Sequence, residues 1–217
     1  MKKSPPDLLR LAIHLIGLNP LIQIGFFTLT NNLTINPIQF LTKFLGFHAL
    51  NLLILSLAVT PIVTLTGWRA LIRHRRTLGL YAAFLAGLHF LMFAGVDYAF
   101  DLAEINRQIV EKPYILMGFT AGFILLALTL TSTKAAMKQL GKSWQSLHRL
   151  VYLAGIIVII HYAWALKGNL TTLSGEVLDP LLKGSLTALL LVLRIPPVRR
   201  WAAGLRQRIR WPHRQAV

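Results

Sequence analysis

The residues with the most chemical capacity in this sequence are its seven histidines: His14, His48, His74, His89, His148, His161 and His213. There is no cysteine, which removes disulfides, thiolate zinc sites, cysteine-held iron–sulfur clusters and c-type haem attachment. His89 lies in Ala86-Gly87-Leu88-His89-Phe90 and His161 in Ile160-His161-Tyr162, both in long apolar runs. An ionisable side chain in such a run is costly and usually functional. Three chemistries are open to this pair: axial ligation of a haem iron, a proton relay in a transporter, and a hydrogen bond to a backbone carbonyl across helices. The other catalytic patterns are missing. There is no Gly-x-Gly-x-x-Gly, no Walker loop, no His-Glu-x-x-His and no Ser-His-Asp set with a plausible elbow.

Composition sets the scaffold for these side chains. The 217 residues are 55% apolar and 14% charged, with a mean hydropathy of +0.59. That excludes disorder, a coiled-coil rod and a water-soluble globule. Charge is absent from Leu11–Thr42, Phe44–Trp68, Thr77–Val96, Pro113–Thr133 and Leu150–Leu166. A bilayer-spanning helix needs about 20 mostly apolar residues, and five runs meet that length. A sixth, from Val177 to Ile195, carries Asp179 and Lys183 near one end, where Lys183 can snorkel to the interface. The fold class expected is therefore all-α: a polytopic membrane bundle of six transmembrane helices. The spans are about 11–29, 44–65, 78–98, 113–131, 149–166 and 177–195, in a domain covering 1–195, followed by a basic tail over 196–217. The first run follows a basic start but is too long for a secretory signal and is interrupted by Asn19-Pro20, so it reads as a retained helix kinked at Pro20.

With the N-terminus in the cytoplasm, 18 of the 23 Lys and Arg fall on the cytoplasmic side and six of the seven acids on the other. This is the positive-inside pattern; it places both termini in the cytoplasm. The net charge of +16 then reads as topology signals and contacts to membrane-lipid phosphates, not as a nucleic-acid surface.

Spans three and five both run outward. His89 lies about twelve residues into one and His161 about eleven into the other, so their heights match within one turn. That is the geometry for two axial ligands facing one iron, with Gly87 and Gly155 placed to relieve crowding against a ring. His148 lies 13 residues before His161, about 20 Å along the axis and about 140° out of phase; a kink near Gly155 would change that phase. It suggests an inner site, where Arg75 and Arg76 suit haem propionates or a flavin phosphate. Gly118 and Gly122 form a GxxxG, the sign of close helix packing.

One string is specific: Thr131-Ser132-Thr133-Lys134, then Leu140-Gly141-Lys142-Ser143-Trp144-Gln145-Ser146-Leu147-His148-Arg149-Leu150-Val151-Tyr152-Leu153. With Ile160-His161-Tyr162, Lys112-Pro113-Tyr114 and Arg75-Arg76-Thr77-Leu78-Gly79-Leu80 upstream of His89, it resembles the MsrQ family of the ferric-reductase-like transmembrane superfamily. The likeness covers nearly the whole chain. It implies a six-helix protein of the bacterial inner membrane that binds b-type haem and is also described as binding FMN. It further implies electron transfer from the quinone pool to a periplasmic molybdopterin reductase, MsrP, which repairs oxidised methionines. The family's haem histidines carry over to His89, His148 and His161; His48 and His74 match none of its motifs. The chain is then an electron-transfer subunit, not the catalytic one. Only about twenty residues follow the last span, too few for a flavin and nicotinamide domain, so the donor is expected to be quinol or a separate cytosolic flavin reductase. The rival is a small transporter or proton relay using the same histidines. The outer loop bearing Asp97, Asp101, Glu104 and Glu111 reads as a docking surface for the periplasmic partner.

Overall fold

The computed structural model describes residues 8–166 and 177–210. Lys2, Lys3, Lys167, Glu176 and His213, all used in the charge and histidine reading above, lie outside the described residues. Among the described residues every regular element is helical. The chain opens with α1 (Leu8–Leu29) and α2 (Pro37–Thr66). A 3₁₀ turn at Arg69–His74 then runs into α3 (Arg75–Leu91), which widens into a π-helical turn at Met92–Asp97. Next come the short amphipathic α4 (Leu102–Glu111), α5 (Pro113–Leu130), α6 (Lys134–Leu140), α7 (Lys142–His148), α8 (Leu150–Ala165), α9 (Leu178–Val192) and α10 (Pro196–Arg210).

Five of these stretches are long and apolar enough to cross a bilayer: α1, α2, the rod Arg69–Asp97, α5 and the rod Lys142–Ala165. The sixth expected span is shorter than the sequence suggests. The 15 residues of α9 reach about 22 Å, less than the hydrocarbon core of about 30 Å. The chain then bends by 86° into α10, and the two make one span only if taken together. The chain is a multi-pass membrane protein.

Local chemistry marks the ends. Asn36 caps α2 by accepting from the Gln39 amide at 3.0 Å, with Pro37 at the first position. Gly67 stops α2 with φ of 79°, a left-handed geometry that glycine takes without a Cβ clash. Asp101 caps α4 by accepting from the Ala103 and Glu104 amides. α2 and α3 lie against each other, as do α5 and α8. Close approach is possible because Ala82 and Ala154 at the contacts are fully buried small residues, packed with Leu53 and Leu85.

Pro61 sits inside α2. It has no N–H to give the carbonyl of Leu57 four residues back. Arg194 fills the gap from beyond α9, donating Nη2 to that carbonyl at 2.5 Å and Nη1 to the Tyr152 hydroxyl at 2.8 Å. One guanidinium therefore ties the end of α9 to both α2 and α8.

Candidate functional site

α2, the third rod, α5 and α8 enclose a cavity of about 1550 Å³, larger than the roughly 300–1,000 Å³ of ordinary small-molecule pockets. Its walls are apolar, with Leu50, Leu53, Phe90, Phe119, Leu125 and Val158 among them. Polar groups gather toward the ends of the helices that bound it, at Asn36, Gln39, Lys43 and Tyr98. Lys43 is the one cation among the described residues lining it.

His89 and His161 both line this cavity. Their ring centres are 6.2 Å apart with the planes at 76°, so the matched heights inferred from the two apolar runs hold in three dimensions. Each ring is held the same way. His89 Nδ1 lies 2.8 Å from the carbonyl of Thr42, and His161 Nδ1 lies 2.7 Å from the carbonyl of Tyr114. A carbonyl only accepts, so each Nδ1 carries the proton and each Nε2 keeps its lone pair. Metal-binding histidines are prepared in this manner, since the donated N–H fixes tautomer and orientation and raises the basicity of the other nitrogen.

Two glycines make room for the rings. A Cβ at Gly46 would lie 3.0 Å from His89 Nδ1, and one at Gly118 would lie 2.8 Å from His161 Cε1. Each glycine stands four residues after the carbonyl that accepts the histidine, so carbonyl and glycine sit one above the other on the same helix face. Sequence reasoning missed these seats. A signal was present: the spacing from accepting carbonyl to histidine is 47 residues in both cases. Adding 72 to Thr42, Gly46 and His89 gives Tyr114, Gly118 and His161. The GxxxG reading changes accordingly. Gly118 is the seat for His161, while Gly122 lines the cavity with no atom within 4 Å of an added Cβ. Gly155 does not face a ring either; a Cβ there would meet Leu57 at 3.1 Å. Gly87 does line the cavity, with open space beside it.

The residues present fit a haem. An imidazole nitrogen sits about 2 Å from a bound metal and the ring centre roughly 1.1 Å beyond it, so two imidazoles that held one metal between them would have centres up to roughly 6.2–6.4 Å apart. The observed separation is within that range. Among the described residues no group of three His, Asp or Glu could hold a metal ion. Two histidines alone suit an iron whose remaining ligands come from a macrocycle.

His148, Arg75 and Arg76 do not line this cavity. His148 closes α7 and stacks on Trp144, with ring centres 4.0 Å apart and planes at 27°. Its Nε2 lies 3.1 Å from the Thr131 hydroxyl, and Trp144 Nε1 donates to the Thr131 carbonyl at 2.9 Å. Thr131 gives its own proton to the Ala127 carbonyl, so it accepts from His148, whose lone pair is then on Nδ1. Arg76 donates to the Ser132 carbonyl, and the Arg75 carbonyl accepts from Ser56. Between His148 and His161 the helix is interrupted at Arg149, between α7 and α8, and not at Gly155. His74 is buried beside Arg73, whose Nε donates to His74 Nε2 at 3.1 Å. His14 reaches Tyr81 Oη at 2.8 Å, tying α1 to α3.

An all-helical membrane protein that faces histidines from two separate rods across an apolar cavity defines a class, and the comparisons agree with it. Residues 44–159 match the family described as the ferric reductase like transmembrane component, and the chain belongs to that family. A protein of Herminiimonas arsenicoxydans named "Protein-methionine-sulfoxide reductase heme-binding subunit MsrQ" is 40% identical over 195 residues, 88% of this chain and 87% of its own. Proteins of the same name from Bordetella pertussis and Rhodospirillum rubrum are 39% and 38% identical, covering 84% and 90% of this chain and 86% and 91% of their own. MsrQ is thus the group within the family to which this chain is similar along nearly its whole length.

Proposed function

We propose that the chain is the membrane electron carrier of a methionine sulfoxide reductase system, with a b-type haem held between His89 Nε2 and His161 Nε2. The observation that carries this reading is the pair of rings 6.2 Å apart, each with Nδ1 committed to a carbonyl. When bound there, haem supplies a one-electron couple inside the bilayer. The protein holds both imidazoles in the ligating tautomer, keeps water away with apolar walls, and offers Lys43 to an anionic group. In this reading both termini face the cytoplasm of a bacterial inner membrane, electrons come from quinol or a cytosolic flavin reductase, and MsrP on the periplasmic side accepts them. The relatives' name supports a role in methionine sulfoxide reduction. An inner site at His148, with Arg75 and Arg76 nearby, would take a second anionic group, haem or FMN.

The test is a reduced-minus-oxidised spectrum of membranes from an overproducing strain, with His89→Ala and His161→Ala alongside. The wild type is expected to show a Soret band and a sharp α-band. Each variant should lose the same haem, since one imidazole leaves the iron five-coordinate and weakly held. Colourless wild-type membranes would favour the proton-relay alternative, and a full low-spin spectrum in either variant would refute the pairing.

A further inference from the structure

A second cleft, of about 360 Å³, lies between α1 and α2. Asn19, His48 and Asn51 line it, and all three stand near the middle of their helices. Polar groups at such depth are costly when unpaired. Several other polar side chains of these spans are provided for, while Gln23 and Thr60 are not, and neither of those two lines the cleft. Thr28, Thr42 and Thr64 bond back to the carbonyl four residues earlier, and His14, His89 and His161 each have a partner. Asn19, His48 and Asn51 have no hydrogen-bond partner among the described residues. Pro20 stands in the same lining. It offers no N–H to the carbonyl of Ile16, four residues back, and Ile16 also lines the cleft.

The rim is apolar and open to the bilayer, with Leu15 54% and Leu55 37% exposed. His48 also lines the large cavity that holds His89 and His161. Its ring centre lies 4.3 Å from that of Phe44 and 5.4 Å from that of Phe47. The cleft and the cavity therefore share a wall at His48.

We infer that this cleft binds the head ring of a quinol, with Asn19, His48 and Asn51 as its hydrogen-bonding groups. The choice of quinol rests on the electron-carrier reading above; the cleft itself does not. The occupant must reach mid-bilayer depth from the lipid, so its body is apolar. It must also bring a small ring with both donors and acceptors, because two amides and an imidazole offer both. A lipid acyl chain would fill the walls and leave all three polar groups unpaired, and a charged headgroup stays at the interface. A quinol hydroxyl pair meets every requirement, and its seat places the ring one side chain away from the cavity.

The test uses the purified holoprotein in nanodiscs and the quinol analogue 2-heptyl-4-hydroxyquinoline N-oxide, whose fluorescence is quenched on binding. This readout needs no turnover. Wild-type protein should quench saturably at one site. Asn51→Leu should bind about tenfold more weakly, a loss of roughly 1.4 kcal/mol that matches one hydrogen bond. Leu55→Trp keeps all the polar groups but fills the cleft from its lipid-exposed rim, and should abolish quenching. Unchanged affinity in both variants, or no saturable quenching by the wild type, overturns the site. The dithionite-reduced spectrum is recorded on the same samples and judges the electron-carrier reading separately. A wild type without haem that still quenches, and loses quenching in Leu55→Trp, supports the cleft while sinking that reading.

Discussion

Replacing Gly118 by alanine tests the seat of His161 with a single methyl group. The new Cβ would lie 2.8 Å from Cε1 and 2.9 Å from Nδ1 of the ring. Ordinary carbon contacts are about 3.5–4.0 Å, so the imidazole must retreat by roughly 0.7–1 Å. The 2.7 Å bond to the Tyr114 carbonyl would then stretch beyond the normal limit of about 3.2 Å. Losing it costs about 1 kcal/mol, and forcing the methyl into the contact adds about 1–3 kcal/mol. Alanine recovers at most about 1 kcal/mol through its better helix propensity. The net of about 1–3 kcal/mol falls on the position of the ring, which corresponds to haem held roughly 5- to 150-fold less tightly. The assay is haem loss to an excess of apomyoglobin, followed in the Soret band, with haem content measured per protein. Gly46→Ala should act in the same direction but less, because its Cβ would stand at 3.0 and 3.1 Å from His89. Gly25→Ala is the control, with no atom within 4 Å. A Gly118→Ala protein with wild-type haem content and loss rate would refute the seat.

Further outcomes concern the inner and outer ends. His148→Ala should lower electron transfer while leaving the spectrum of the His89–His161 site in place; loss of all haem would put His148 in that site or show misfolding. Asp101→Ala removes the α4 cap and should destabilise that helix by about 0.5–2 kcal/mol, read as faster amide exchange confined to 102–111. Arg107 hydrogen-bonds Glu104 and holds its carboxyl at about 2, below the ordinary value of 4.5. Glu104 is therefore easier to ionise in the folded chain, so its contribution is present above about pH 4.5 and is lost as pH falls toward about 2. Amide exchange in α4 should quicken across that window, and an Arg107→Ala protein should show a smaller acid step, left by the Gln108–Glu104 hydrogen bond. Neutralising Asp97, Asp101, Glu104 and Glu111 together should slow haem reoxidation by the proposed periplasmic partner at low salt but not at high salt. An unchanged low-salt rate would end the docking idea. Some loss is already expected from structure alone, since Asp101 caps α4 and Arg107 pairs with both Glu104 and Glu111.

Periodicity and charge made the spans legible because a bilayer imposes one length and one polarity on whatever crosses it. The facing of His89 and His161 was legible for the same reason: two helices expected to run in the same direction share a common ruler. What escaped notice depends on contacts between segments far apart in the chain. The Thr42 and Tyr114 carbonyls carry no side-chain signal at all. Gly118 looked like a helix-packing residue because GxxxG has the same spelling whether it meets a neighbouring backbone or an imidazole. The interruption at Arg149, between α7 and α8, is one that no proline or glycine announces. The shortness of α9 was hidden by apolar residues continuing to Ile195, where the turn at Pro196 takes over.

The repeated spacing of carbonyl, glycine and histidine has a consequence for ancestry. α2 with α3 and α5 with α8 are two helical hairpins entered from the same end, each contributing one imidazole on one seat. Either hairpin alone offers half of a site. Two copies brought face to face about an axis along the bilayer normal would offer a whole one, which is how symmetric dimers place their shared centres. The segment 98–112 that joins the halves contributes neither seat nor histidine. In such a history it would be the tether that joined two subunits into a single chain. Neither ligand is then the senior one, and the iron between them would feel the same pull from both sides.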